Sequence, residues 1–200
     1  RRWASDVVTD VVPLLVLVTG ILDELDVRYV VGGSLASGIH GELRATNDVD
    51  LLIELPPAKV GGLVRALKPS FDIREDTVRA AVSEGRSFGA LHVEWHVKVD
   101  FFPAGNSRLD TQELERRRPV RLPSAPDRDV FVASPEDIVL RKLDWFRRSD
   151  GVLERQLRDV VGVLKLQRNA LDRPYLLGMA HELGLAELLE RCLRDAGSAD

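Results

Sequence analysis

Apolar and polar positions alternate most regularly between Leu91 and Phe101. The odd positions are apolar (Leu91, Val93, Trp95, Val97, Val99, Phe101) and the even ones polar (His92, Glu94, His96, Lys98, Asp100), the period-2 signature of a strand with one buried face. This run is long against the usual strand of about 5 to 6 residues. A hairpin bent near Glu94-Trp95-His96 is therefore an equal reading, although no Gly or Asn marks the bend.

Upstream, Asp10 and Pro13 are start signals for a helix running to about Leu25, and Val27 to Val31 is a short apolar strand. Gly32-Gly33-Ser34 breaks that strand, and a brief helical piece follows. A second strand covers Val49 to Leu55, with Asp48 and Asp50 at its start and Pro56-Pro57 ending it. Helices are expected at about 58–67 and 76–83, framing a short segment at Phe71 to Ile73, with two more strands at Arg118 to Leu122 and Asp129 to Ala133. Beyond Ala133 the pattern turns helical. Ser134-Pro135-Glu136-Asp137 supplies an N-cap, a first-turn proline and a capping-box acid, and helices follow at about 135–148, 154–168, 174–183 and 185–195. The change of character divides the chain into a mixed domain, 1–133, and a helical domain, 134–200.

Composition narrows the function classes. The 200 residues are 44% hydrophobic and 30% charged, which supports a buried core and argues against intrinsic disorder. With 28 basic and 32 acidic side chains the net charge is −4, so any nucleic-acid contact must come from a local patch. The single cysteine, Cys192, excludes an intrachain disulfide and a four-cysteine zinc site, and makes the reducing cytoplasm the expected compartment. The most apolar run, Val11 to Leu22, contains Pro13 and falls short of the roughly 20 residues that cross a bilayer, so no membrane partner is expected. Arg1 and Arg2 precede it without the small-residue cleavage pattern of a signal peptide, and Asp6 and Asp10 intervene.

Chemistry concentrates in the acids. Asp48 and Asp50 are separated by one residue, so on a strand both project from the same face. Asp100 ends the polar face of the Leu91–Phe101 run, and pairing of the two strands would bring a third carboxylate to the same point. Each pair of ionised carboxylates at about 5 Å repels by about 3 kcal/mol at an effective dielectric near 20. A cation among them, or a retained proton, must relieve that charge. Hard oxygen donors select magnesium or manganese, ions that usually bring substrate phosphates with them. Gly33-Ser34, between a strand and a helical piece, offers backbone N–H groups and a hydroxyl to phosphate oxygens.

Gly33-Ser34, thirteen intervening residues and Asp48-Val49-Asp50-Leu51, together with Asp100 in Lys98-Val99-Asp100-Phe101, resemble the signature of the DNA polymerase β-like nucleotidyltransferase superfamily. The stretches GGSLASGIHGELRATNDVDLLI (32–53) and SPEDIVLRKLDWFRR (134–148) further resemble small bacterial nucleotidyltransferase-like proteins related to abortive-infection toxins. The resemblance implies an α+β fold, a mixed sheet flanked by helices and followed by a C-terminal helical bundle. It implies transfer of a nucleoside monophosphate from a nucleoside triphosphate to an unknown hydroxyl acceptor, which could be a small molecule, a protein or an RNA end. Asp48, Asp50 and Asp100 would hold Mg2+ or Mn2+, with Asp100 also a general base. Gly33 and Ser34 would cradle the outer phosphates, Arg44 and Thr46 would add donors, and Lys142, which matches the active-site lysine of the toxin relatives, would neutralise developing charge. A later Asp-Leu-x-Asp element is matched only in part, since Arg158-Asp159-Val160-Val161-Gly162 has Gly162 where the second acid would stand. The alternative is a catalytically inactive nucleotide-binding or antitoxin-like member of the same fold, acting with a partner protein.

Other motifs have plainer readings. His92, Glu94 and His96 could hold zinc on an evenly pleated strand, although solvent-facing polar residues explain the same pattern. Arg116-Arg117-Arg118 with Arg121 could contact nucleic-acid phosphates, or form a solvated helix end. Cys192 sits among leucines and reads as a buried, inert thiol.

Overall fold

The computed structural model describes residues 3–40, 46, 48–122, 125–149 and 154–197. They form two compact units, one of Arg1–Gly32 with Ala45–Val132 and one of Gly33–Arg44 with Ala133–Asp200. In chain order the elements are α1 (Trp3–Glu24), β1 (Tyr29–Val31), α2 (Gly33–His40), β2 (Asp48–Ile53), α3 (Val60–Leu67), β3 (Phe71–Asp72), α4 (Glu75–Ser83), β4 (Phe88–His92), β5 (Lys98–Pro103), α5 (Arg108–Arg116), β6 (Arg118–Arg121), β7 (Asp129–Val132), α6 (Pro135–Arg148), α7 (Glu154–Leu166), α8 (Arg173–Glu182) and α9 (Ala186–Asp195). The architecture is α+β, as expected.

The first unit is built on one mixed sheet in the order β3-β4-β5-β2-β1-β7-β6. β2 lies antiparallel to β1 and parallel to β5, and β1 runs parallel to β7. Tyr29, Val31, Leu51, Ile53, Val99, Phe101, Val130 and Val132 are all fully buried, which fixes the central strands by their inward-facing β-branched and aromatic residues. α1 begins at Trp3, well before the expected start, and carries Pro13 in its interior. Val11, Leu14, Leu15, Val18 and Leu22 are buried along one stripe while Pro13 faces outward. Burial of that stripe outweighs the one backbone hydrogen bond that Pro13 cannot donate.

The Leu91–Phe101 run is a hairpin. Its strands pair as Phe88↔Phe101, Gly89↔Asp100, Ala90↔Val99 and Leu91↔Lys98. Every odd-numbered residue thus faces an even-numbered one, so the alternation changes phase across the turn. In β5 the expected pattern holds, with Val99 and Phe101 buried. In β4 it inverts: Leu91 is exposed and His92 is buried, and in the turn Val93 and Trp95 also face outward.

That inversion removes the alternative zinc reading. His92 packs edge-on against Phe71 and stacks on Trp95, with ring centroids 5.0 and 4.1 Å apart, and its Nδ1 accepts a hydrogen bond from the Trp95 backbone N–H at 3.2 Å. The buried ring is a packing element of the turn. His96 takes a positive φ of 54° within that turn, so the three residues do not share an evenly pleated strand.

α5 ends at Arg116, and two of the arginines that follow, Arg117 and Arg121, have partners within the chain. Arg117 donates to the carbonyl of Tyr29 at 3.0 Å and lies over the Phe131 ring at 4.1 Å. Burial, with Arg28 nearby, holds the Arg117 guanidinium below its ordinary pKa. Arg121 pairs with Asp129 at 2.6 Å.

The second unit packs α2 against α6 and α7, and α8 and α9 close the set. The expected N-cap of α6 is present: the Ser134 hydroxyl accepts from the Asp137 N–H at 3.2 Å and donates to the Asp137 carboxylate at 2.6 Å. Tyr175 Oη donates to the other oxygen of Asp137. Among the described residues no helix is long and apolar enough to cross a membrane.

Cys192 is buried on α9, as expected. Burial pushes its thiol from an ordinary 9.0 up to about 11, which leaves it protonated and unreactive near neutrality. Ellman's reagent at pH 8 should therefore find no thiol in the native protein and one per chain in urea. Between pH 9 and 11 the unfolded thiol has lost a proton that the folded one keeps, so stability should fall as pH rises through that window.

Candidate functional site

The geometry of the acidic site follows from one strand pairing. β2 and β5 run parallel with Asp48 beside Lys98, Val49 beside Val99 and Asp50 beside Asp100. Because alternate residues share a face, Asp48, Asp50, Lys98 and Asp100 project together while Val49, Leu51, Val99 and Phe101 enter the core. One carboxylate oxygen from each of Asp48, Asp50 and Asp100 lies within 4.8 Å of the others. Among the described residues this is the group of three acidic, imidazole or thiol side chains arranged to surround a cation. Asp48 is exposed at the strand start, and Asp50 and Asp100 are half-buried.

Three clustered carboxylates without soft or nitrogen donors fit a hard divalent ion such as magnesium or manganese. Two neighbours shape the cluster. The Thr46 hydroxyl donates a short hydrogen bond to the Asp48 carboxylate, and so orients the first acid of the pair. Lys98 Nζ lies 2.6 Å from Oδ1 of Asp100. The sequence pattern marked Lys98 only as one polar position on a strand face. Its contact with the third acid depends on a neighbouring strand: Gly89 stands opposite Asp100, and a Cβ placed there would lie 2.7 Å from Cε of Lys98. The lysine lies over Gly89 on its way to its partner, and a side chain there would press on its end.

The other expected site residues belong to the second unit or lie outside the described residues. Gly33 opens α2 with a positive φ of 59°, a conformation glycine adopts without strain. Ser34 follows it in the first turn of that helix, where backbone N–H groups have no partner within the helix itself. Lys142 is almost fully buried, and its Nζ donates to Asp159 at 2.8 Å and to Gln156 Oε1 at 3.0 Å. Asp159, the retained acid of the partly matched element, is thus the counter-ion of Lys142. Gly162, one turn further along α7, lines an open cavity of about 490 Å³ with Arg158, Lys165 and Arg191. Arg44 lies outside the described residues.

No protein-family model matches the chain, and no curated protein matches it in sequence. Solved structures do match it in fold. An antigenic nucleotidyltransferase-like protein from Paracoccidioides brasiliensis superposes with a TM-score of 0.51 at 18% identity, over 90% of this chain and 89% of that one. ANT(2'')-Ia, in complex with adenylyl-2''-tobramycin, gives a TM-score of 0.51 at 18% identity, over 86% of this chain and 98% of that one.

Proposed function

We propose that this chain, whose fold is that of the nucleotidyltransferases, transfers a nucleoside monophosphate from a nucleoside triphosphate to a hydroxyl acceptor. The observation that carries the reading is the meeting of Asp48, Asp50 and Asp100, with oxygens within 4.8 Å of one another, on a solvent-accessible strand face. Such a cluster has little value to the fold itself, because the carboxylates repel at that separation.

Asp48, Asp50 and Asp100 would hold one or two magnesium or manganese ions. Bound there, a divalent ion would supply neutralisation of phosphate charge and Lewis-acid polarisation of the phosphate. Asp100 accepts the proton of the attacking hydroxyl as its oxygen bonds to the α-phosphorus and the bond to the departing pyrophosphate breaks, a role open to a carboxylate on the accessible face. Thr46 keeps Asp48 aimed into the cluster through its hydroxyl. The N–H groups at Gly33 and Ser34 bind outer phosphate oxygens, as the positive end of a helix does. Lys142, which the resemblance assigns to the triphosphate, is instead held inside the helical unit by Asp159 and Gln156, and in this reading it supports α6 and α7 rather than meeting the phosphates. ANT(2'')-Ia in its complex with adenylyl-2''-tobramycin makes a hydroxyl-bearing small molecule the first acceptor class to test, ahead of a protein or an RNA end.

The experiment follows two labels. The protein is incubated with magnesium, a cell extract and each triphosphate labelled at the α- or the γ-phosphorus. The expected result is label from the α position alone on an acceptor, abolished by EDTA. Transfer of the γ label would make the protein a kinase. No transfer of either label from any triphosphate would remove the enzyme and leave the nucleotide-binding alternative.

A further inference from the structure

The third acid of the cluster already has a cation beside it. Lys98 Nζ sits 2.6 Å from Oδ1 of Asp100, on the strand face that also carries Asp48 and Asp50. Its side chain remains more than half exposed, at 55%, against 21% for Asp100, so it can leave that position without disturbing the core. Gly89 gives it a lane. The nearest atoms to a Cβ at position 89 would be Cε of Lys98 at 2.7 Å, Oδ1 of Asp100 at 3.3 Å and Nζ of Lys98 at 3.6 Å.

A divalent ion shared by the three acids would meet this ammonium at the same carboxylate, and two cations cannot both sit there without repulsion. A bound triphosphate changes the balance, because its oxygens offer the ammonium an alternative anionic partner. We infer that Lys98 is a positioning residue that couples metal loading to nucleotide binding: it holds Asp100 until a metal-bound nucleoside triphosphate arrives, then moves its contact from Asp100 to the phosphates. The cation on Asp100 disfavours metal taken up alone, and nucleotide removes that penalty. By linkage, the nucleotide also binds more tightly when metal is present. This rests on the metal-centre reading above and adds the order in which the site fills.

Manganese binding followed by electron paramagnetic resonance tests this without any turnover. Wild type, K98M, G89A and D50N are titrated with Mn2+, each with and without a non-hydrolysable triphosphate analogue. K98M should bind Mn2+ alone about tenfold more tightly than wild type, as relief of one nearby like charge at an accessible face allows, and the analogue should tighten Mn2+ much less in K98M than in wild type. G89A keeps the lysine but takes its lane, and should shift Mn2+ binding in the same direction. Uptake by wild type that is unchanged or weakened in K98M overturns the role of Lys98 alone, as does an equal effect of the analogue in both proteins. Absence of specific uptake by wild type and K98M alike, or uptake indifferent to D50N, overturns the metal centre and this inference together.

Discussion

Asp50→Asn is expected to reduce nucleotidyl transfer by at least about 10³-fold, since metal-assisted stabilisation of the reacting phosphate is worth several kcal/mol. The same substitution should leave the fold intact and make it more stable. With carboxylate oxygens within 4.8 Å of one another and an effective dielectric near 20, a pair repels by about 3 kcal/mol. Solvent at this accessible face and the Lys98 ammonium beside Asp100 both reduce that figure. A gain of about 1 kcal/mol remains, which for a chain of this size is about 2 to 4 °C in Tm. Thermal unfolding in EDTA reads this directly, and activity is read with magnesium present. An asparagine variant that loses activity and stability together would mean that Asp50 serves the fold, and that the cluster is not a site.

The second large effect lies in the helical unit. Lys142 and Asp159 have side chains only 3% and 14% exposed, and Gln156 shares the ammonium. Lys142→Ala removes the cation and strands Asp159 in a desolvated setting, at a cost of about 3 kcal/mol. Urea denaturation should show the loss as a lower midpoint with an unchanged slope. Replacing both partners by apolar residues of similar size, K142M with D159L, should recover most of it, because no buried charge is then left alone. If the double variant is as unstable as the single one, the ion pair is not what Lys142 supplies. Activity measurements on Lys142 variants therefore need the stability of each variant beside them, since loss of fold and loss of chemistry would look the same in a rate.

Local patterns carried the acidic site a long way. The one-residue spacing of Asp48 and Asp50 places both on one face whatever surrounds them, and the alternation in β5 put Asp100 on a polar face. Their meeting required a pairing of β2 with β5; the family resemblance implied that the third acid stands on a neighbouring strand, but the parallel direction and long crossover are in no local periodicity. Lys98 shows the limit of such reading. The lysine passes over Gly89 on another strand, and nothing within Lys98-Val99-Asp100 distinguishes an ion-paired lysine from a solvated one.

The misreadings share a cause. His92 reads as solvent-facing only while a single phase is carried across a turn that reverses it, and Asp10 and Pro13 read as a helix start although α1 runs through both from Trp3. Arg117 belonged to a basic run in one dimension and to a carbonyl and an aromatic ring in three. The C-terminal helices matched their expected bounds closely, because helical spacing there is strong, and in α6 it coincides with the Ser134 start signal.

The odd sum of the paired residue numbers in the β4–β5 hairpin also limits how homologous chains can drift. Losing or gaining one residue in β5 ahead of Asp100 would turn that carboxylate inward and bring Val99 to the surface, disarming the cluster and placing a charge in the core. Between Trp95 and Lys98, insertions should therefore survive only where the turn absorbs them whole, and length variants that keep all three acids should cluster at the outermost positions of that turn.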